Sequence, residues 1–250
     1  MLSGAPGKRT IGCVSSLMNP VTVRNSTQAI VYDGALLPAV DADWFQPESM
    51  PPGLAVSRVA AGRGTVHIFD SPAGPAVLRP YRRGGWVAHL SRDRYLFTGY
   101  ARSRPFREFD LLARLHGAGL PVPVPLAALC ERSGSLLCRG ALITLQITGA
   151  RPLSRLPGDA SVDWARIGAT LRRFHQAGAG HPDLNAGNIL LDERGAVWLV
   201  DFDRGRFTPG AAVSGTANLA RLRRSLVKLW PAGAGSLEDN WQLLLEGYGA

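Results

Sequence analysis

His181-Pro-Asp-Leu-Asn-Ala-Gly-Asn-Ile-Leu-Leu-Asp192, followed closely by Val197-Trp-Leu-Val-Asp-Phe-Asp203, is the stretch that decides how this 250-residue chain is read. Two short apolar runs, Ile189–Leu191 and Val197–Val200, flank the turn residues Glu193-Arg-Gly195, which is the pattern of a tight β-hairpin. A hairpin returns the chain to the place it left. Asp183 and Asn188 precede the first strand and Asp201 follows the second, so three oxygen-bearing side chains gather at one end. His181 would pin the loop that carries Asp183.

Phosphoryl transfer from ATP to a hydroxyl needs few protein groups. One carboxylate orients the acceptor hydroxyl and receives its proton, and two oxygen ligands hold magnesium against the phosphates. Here Asp183 would be the base, with Asn188 and Asp201 the metal ligands and ATP and Mg2+ the cofactors. The H-x-D-x-x-x-x-N spacing with Asp-Phe-Asp after the next strand resembles the catalytic and metal-binding loops of eukaryotic-like kinases. The expected fold is α+β: a bilobal protein-kinase-like fold with an antiparallel-sheet N-lobe and a small, mostly helical C-lobe.

Upstream residues extend the pattern. Leu54–Val59, Thr65–Asp70 and Pro75–Tyr81 read as a meander of three strands. Gly62 and Gly64 lie between the first two, where a phosphate-covering loop belongs, although a plain tight turn accounts for them equally. The third strand has Arg79 where such a fold carries a lysine, and neither Lys8 nor Lys228 could take that place. Glu108, early in a helix that Ser103 caps and Pro105 opens, is the natural partner of Arg79. Val122–Ala128 and Ser135–Ile147 suggest further strands, Ser161–Ala177 a second helix, and the last ~40 residues two more helices. The expected division is an N-terminal extension over 1–28, an N-lobe over 29–148 and a reduced C-lobe over 149–250, with residues 1 to about 50 loosely attached apart from one strand near Ala29–Tyr32.

Composition narrows the partners. Hydrophobic residues make up 46% of the chain and charged residues 19%, which suits a globular protein. The net charge of +9 is carried almost wholly by arginine, which favours anionic partners through bidentate contacts. Three cysteines, Cys13, Cys130 and Cys138, make no disulfide framework and suit a reducing compartment. No apolar run has the length of a transmembrane span, and the N-terminus lacks the apolar core of a signal peptide. Arg82, Arg83, Arg92, Arg94, Arg102, Arg104 and Arg107 are interleaved with Trp86, Tyr95, Phe97 and Tyr100. That mixture suits an anionic, amphiphilic surface, single-stranded nucleic acid, or aromatics packed on the small lobe.

Several features point away from a protein substrate. Pro182 stands where many protein kinases carry an arginine, Asn185 stands where a lysine is common, and no Ala-Pro-Glu follows Asp201. Val77-Leu-Arg-Pro-Tyr-Arg-Arg-Gly-Gly85, Gly119-Leu-Pro-Val-Pro123, His181-Pro-Asp-Leu-Asn185, Asn188-Ile-Leu-Leu-Asp192 and Asp201-Phe-Asp-Arg204 resemble the 3-deoxy-D-manno-octulosonic acid (Kdo) kinases of Gram-negative bacteria. Gly187 departs from that resemblance, since a bulkier residue is common before the Asn. The resemblance implies phosphorylation of the 4-hydroxyl of a Kdo sugar on a lipid A precursor, in lipopolysaccharide core biosynthesis. It also implies a peripheral enzyme on the cytoplasmic, anionic face of the inner membrane. The alternatives are a core heptose kinase, an aminoglycoside- or choline-type phosphotransferase, an atypical protein kinase, or a basic nucleic-acid-binding protein. The intact Asp183, Asn188 and Asp201 set argues against the last, so no nucleic-acid partner is expected.

Overall fold

The computed structural model describes residues 18–51, 53–54, 56–60, 66–81 and 95–249. In chain order the strands are β1 (Pro20–Arg24), β2 (Gln28–Asp33), β3 (Val56–Ala60), β4 (Val66–Ser71), β5 (Gly74–Pro80), β6 (Tyr95–Leu96), β7 (Pro125–Ser133), β8 (Leu137–Leu145), β9 (Arg151–Pro152), β10 (Ala179–Gly180), β11 (Ile189–Leu191), β12 (Val197–Leu199) and β13 (Arg206–Phe207). The helices are α1 (Arg104–Gly117), α2 (Trp164–Ala177), α3 (Thr216–Leu229) and α4 (Leu237–Tyr248).

The N-lobe is one antiparallel sheet in the order β1-β2-β7-β8-β5-β4-β3, with β6 on β8. Its central strands are buried on both faces, and the period of two sorts their side chains. Ile30, Leu78, Leu129 and Ile143 form one layer with Leu37, Trp44, Phe45 and Leu54 from the chain after β2. Ala128, Cys130 and Leu142 form the other, against Phe109, Leu112 and Leu115 of α1. Arg79 pairs in register with Leu142, so it points to the α1 side of the sheet. This parity carries a charged side chain towards the cleft between the lobes.

Three expectations for this half need correction. The extension over 1–28 runs too far, because β1 begins at Pro20 and pairs with β2 from Pro20↔Asp33 to Arg24↔Ala29. Residues up to about 50 are not loosely attached either. Trp44 packs edge-to-face on Phe69 at 6.4 Å, and Leu37 and Phe45 are buried, so this segment roofs the outer face of the sheet. Ser103 holds the N-cap position of α1, but its side chain makes no capping bond and its buried hydroxyl has no hydrogen-bond partner among the described residues. Cys130 and Cys138 are fully buried free thiols. Cys13, Gly62, Gly64, Trp86 and the arginines at 82, 83, 92 and 94 lie outside the described residues.

In the C-lobe α2 is capped by Asp163, whose carboxylate accepts the Arg166 N–H at 2.9 Å, so the helix starts later than Ser161. Trp164, Ile167, Leu171 and Phe174 form its buried stripe, as their spacing predicts. α2 and α4 cross in close contact at glycines: a Cβ on Gly168 would meet the Leu244 carbonyl, and one on Gly247 would meet the Ala165 carbonyl. Backbone-to-backbone approach of this kind admits no side chain. The hairpin β11–β12 is closed by Asp192, which accepts from the N–H groups of Arg194 (2.9 Å) and Ala196 (2.8 Å) and from the Trp198 indole (3.1 Å).

Candidate active site

The loop from His181 to Asn188 is held chiefly by bonds to its own backbone. The Asp183 N–H donates to His181 Nδ1 at 3.1 Å, so Nε2 is the protonated nitrogen and donates to the Val200 carbonyl at 2.9 Å. The ring thus ties the Asp183 loop to the residue before Asp201 as a neutral imidazole. Burial lowers its pKa, opposed in part by the bond to Val200. Asn185 caps the turn Ala186–Asn188 by accepting the Gly187 N–H at 2.8 Å. Its Nδ2 donates to the Asp183 carbonyl and to Oδ2 at 3.0 and 3.2 Å. Asn188 Nδ2 donates to the same carbonyl at 2.9 Å, and the Asn188 carbonyl accepts the Val200 N–H at 3.1 Å. The two ends of the hairpin are therefore locked together, as its pattern predicts.

Phe202 is completely buried. It stacks on Phe174 at 5.9 Å and meets the His181 ring edge-on at 4.6 Å. With Phe202 anchored in the C-lobe core, its neighbours Asp201 and Asp203 project towards the N-lobe. Asp201 has φ 65°, a left-handed conformation that non-glycine residues seldom adopt without a compensating role.

Arginine joins the lobes. Arg79 Nη2 donates to both carboxylate oxygens of Glu108 at 2.6 Å, and Nη1 donates to Asp201 Oδ1 at 2.7 Å. Glu108 is buried and also accepts the Tyr81 hydroxyl, so its pair with Arg79 is an interior bridge and not a surface contact. Burial pushes the Glu108 carboxyl up, against the pull of Arg79 and the Tyr81 bond. Burial works against the charge on Arg79, but Glu108, Tyr81 and Asp201 outweigh it and raise its pKa. Arg104, in the first turn of α1, makes a second tie by binding both oxygens of Asp203. It also lies over the rings of Tyr81 and Tyr95 at 5.2 and 5.6 Å. Arg104 is thus half-buried and Tyr95 buried, as the reading of aromatics packed on the small lobe expects.

Asp201 Oδ2 and Asn188 Oδ1 have no protein partner among the described residues. Both are hard oxygen donors, which suits magnesium, an ion that takes one or two protein ligands and completes its shell with phosphate and water. No cluster of three or more His, Cys, Asp or Glu exists among the described residues, and a magnesium-nucleotide site requires none. The donor set fits the ion.

A sequence profile of the lipopolysaccharide kinase (Kdo/WaaP) family matches residues 54–248. The chain belongs to this family. It is therefore a kinase, and kinases of this family use ATP. The chain is 43% identical over 214 residues to the 3-deoxy-D-manno-octulosonic acid kinase of Stenotrophomonas maltophilia (strain R551-3), covering 84% of each. It is 45% identical over 205 residues to the enzyme of the same name from Xanthomonas oryzae pv. oryzae (strain PXO99A), covering 80% of this chain and 81% of the other. Among solved structures it is similar to WaaP in complex with acyl carrier protein, with a TM-score of 0.51 at 16% identity over 78% of this chain and 79% of that one. That likeness shows the bilobal kinase-like fold.

Several residues of this Kdo/WaaP-family site went unread in the sequence. Helix α3 lays Asn218, Arg221 and Ser225 along the loop from His181 to Asn188. Asn218 Nδ2 donates to the His181 carbonyl at 2.7 Å, Arg221 Nη1 to Asp183 Oδ1 at 2.8 Å, and the Ala186 N–H to Ser225 Oγ at 3.2 Å. Behind Asn218, His175 Nε2 faces its Oδ1 at 3.0 Å and His175 Nδ1 faces the Tyr248 hydroxyl at 2.9 Å. The i, i+3, i+7 spacing of the α3 residues is a helical face. Only that spacing could have flagged them, since nothing local says what the face meets.

Proposed function

We propose that this chain transfers the γ-phosphoryl group of ATP to the 4-hydroxyl of a Kdo sugar on a lipid A precursor, within lipopolysaccharide core assembly. The observation that carries the reading is the convergence of Asp183, Asn188 and Asp201 on one end of a hairpin, bridged to the N-lobe by Arg79. Relatives more than 40% identical over most of the chain are named as Kdo kinases, which favours that acceptor.

In this reading Asp183 accepts the hydrogen of the acceptor hydroxyl, holding the oxygen in line for attack. Asn188 and Asp201 hold magnesium, which supplies charge neutralisation at the phosphates. Arg79 fixes Asp201 and offers its exposed edge to nucleotide phosphate, with Glu108 setting its orientation. Gly62 and Gly64 would cover the phosphates. Exclusion of water falls to closure of the two lobes.

The acceptor is anionic, and so is the membrane face from which it is taken. A cleft of about 400 Å³ between α1 and residues 202–208 is rimmed by Arg107, Arg114, Arg204 and Arg206. Of these, Arg107, Arg204 and Arg206 make no side-chain ion pair among the described residues. No described helix is long and apolar enough to cross a membrane. A peripheral association through arginine with the anionic cytoplasmic face of the inner membrane accords with both observations.

The test is to incubate the protein with ATP, magnesium and Kdo-lipid A precursor and follow the glycolipid by mass spectrometry. A single added phosphate on the Kdo residue is expected. Phosphate found instead on heptose, an aminoglycoside or a protein would overturn the acceptor assignment.

A further inference from the structure

We propose that Arg221 is the acceptor's anion subsite: the free edge of its guanidinium takes the carboxylate of the sugar whose hydroxyl Asp183 orients. The proposal rests on the acceptor reading above and adds the group that recognises it.

Three polar residues of α3 face the catalytic loop, and they do different things. Asn218 and Ser225 bond to loop backbone, at the His181 carbonyl and the Ala186 N–H. Those contacts shape the loop. Arg221 bonds only to a side chain, the carboxylate of Asp183. Asp183 does not depend on it for position. Its N–H is held by His181, and its carbonyl by Asn185 and Asn188.

Stability does not explain the pair. The side chains of Arg221 and Asp183 are 47% and 61% exposed, and ion pairs so open to water add little to a fold. Arg221 also spends a single N–H on Asp183. A guanidinium carries five, in a planar fork that matches a carboxylate with two parallel bonds. The rest of that fork meets no acceptor among the described residues.

The electrostatics require a cation at this point. An acidic sugar that brings its hydroxyl to Asp183 brings a second negative charge towards a first. The loop from His181 to Asn188 has no cationic side chain of its own, since His181 is held neutral. On the nucleotide side Arg79 is paired with Glu108 and Asp201 and turns its remaining edge to phosphate, and Arg104 is bound to Asp203. Arg221 is the described cation that touches Asp183. On a pyranose acid the carboxylate and the reacting hydroxyl share one small ring. A group that grips the former while bonded to Asp183 therefore sets the distance and angle of the latter.

The experiment compares two acceptors: Kdo-lipid A precursor, and the same glycolipid with the sugar carboxylate converted to its methyl ester. For the wild-type chain kcat/KM should fall on the ester by roughly 10- to 100-fold, the worth of a charge-assisted hydrogen bond. Arg221→Gln should turn over the two acceptors at similar kcat/KM, and Arg221→Lys should keep an intermediate preference, because an ammonium retains charge without the fork. The preference is a ratio within one protein, so it is independent of how much of the variant is active, and thermal unfolding verifies the fold. An Arg221→Gln enzyme that still prefers the acid as strongly as wild type would overturn the proposal, as would a wild-type enzyme with no preference. A wild-type enzyme that phosphorylates neither glycolipid would instead overturn the acceptor reading beneath it.

Discussion

Replacing Arg79 by Met tests the bridge that joins the lobes. The substitution keeps an unbranched apolar stem and removes the guanidinium, leaving Glu108 buried with only the Tyr81 hydroxyl as partner among the described residues. Removing one member of a buried ion pair costs about 3–5 kcal/mol. Arg79 keeps 29% of its side chain exposed, so the low end, about 3 kcal/mol, is the expected loss. In a domain of this size that lowers Tm by about 6–12 °C. Glu108→Gln in the same background removes the stranded charge and still accepts from Tyr81. The double variant should therefore recover about 2 kcal/mol relative to the sum of the singles. Urea unfolding of the four proteins measures this coupling. A coupling below about 0.5 kcal/mol would refute the claim that Glu108 is held charged by Arg79. The pH dependence has a definite sign. In Arg79→Met the Glu108 carboxyl loses its opposing cation and its pKa rises further, so the folded state takes up a proton that the unfolded state does not. The deficit against wild type must shrink as pH falls towards the ordinary carboxylate range.

Further outcomes separate the roles within the site. Asp183→Ala should lower kcat by roughly 100- to 10,000-fold with ATP binding retained, since the carboxylate acts on the acceptor. Asp201→Ala should abolish the magnesium dependence of binding a fluorescent ATP analogue, and an unchanged magnesium response would remove it from the metal site. Gly168→Ala should destabilise by about 1–3 kcal/mol in urea, because its methyl collides with the Leu244 backbone, and an unaffected midpoint would contradict the α2–α4 crossing. His175 is lowered from its ordinary 6.5 by burial, opposed by Asn218. Its contribution is full above pH 6.5 and is lost as pH falls towards the depressed value, where the unfolded chain takes a proton the native ring refuses. Unfolding followed against pH should show wild type losing stability over that interval more than His175→Gln does.

Much of the fold was legible because its signals are local. Ile189–Leu191 matches its predicted strand, and Val197–Val200 overruns β12 by one residue, since alternation and a glycine turn leave a hairpin few options. The apolar stripe of α2, Trp164, Ile167, Leu171 and Phe174, was readable from spacing alone. Starts were less secure. Ser161 was the expected start of α2, but the helix begins after its cap Asp163, and Ser103 occupies a cap position without using its hydroxyl. The roof formed by Leu37, Trp44 and Phe45 was misread because such a segment has no period of its own. It is ordered by the sheet face it covers.

For the site, the sequence alone placed Asp183, Asn188 and Asp201 together at one end of a hairpin, because a loop of fixed spacing and a short turn constrain where their backbones go. It also predicted that Arg79 pairs with Glu108. Only the tertiary structure decided that this pair is buried and that the same guanidinium reaches Asp201, 122 residues away. It alone set Arg221 against Asp183 and threaded Tyr248, His175 and Asn218 to the loop. The physical reason is range. Hydrogen-bonding patterns between near neighbours repeat along the chain and can be read from it, whereas the choice of which helix face meets a distant loop depends on how whole elements pack.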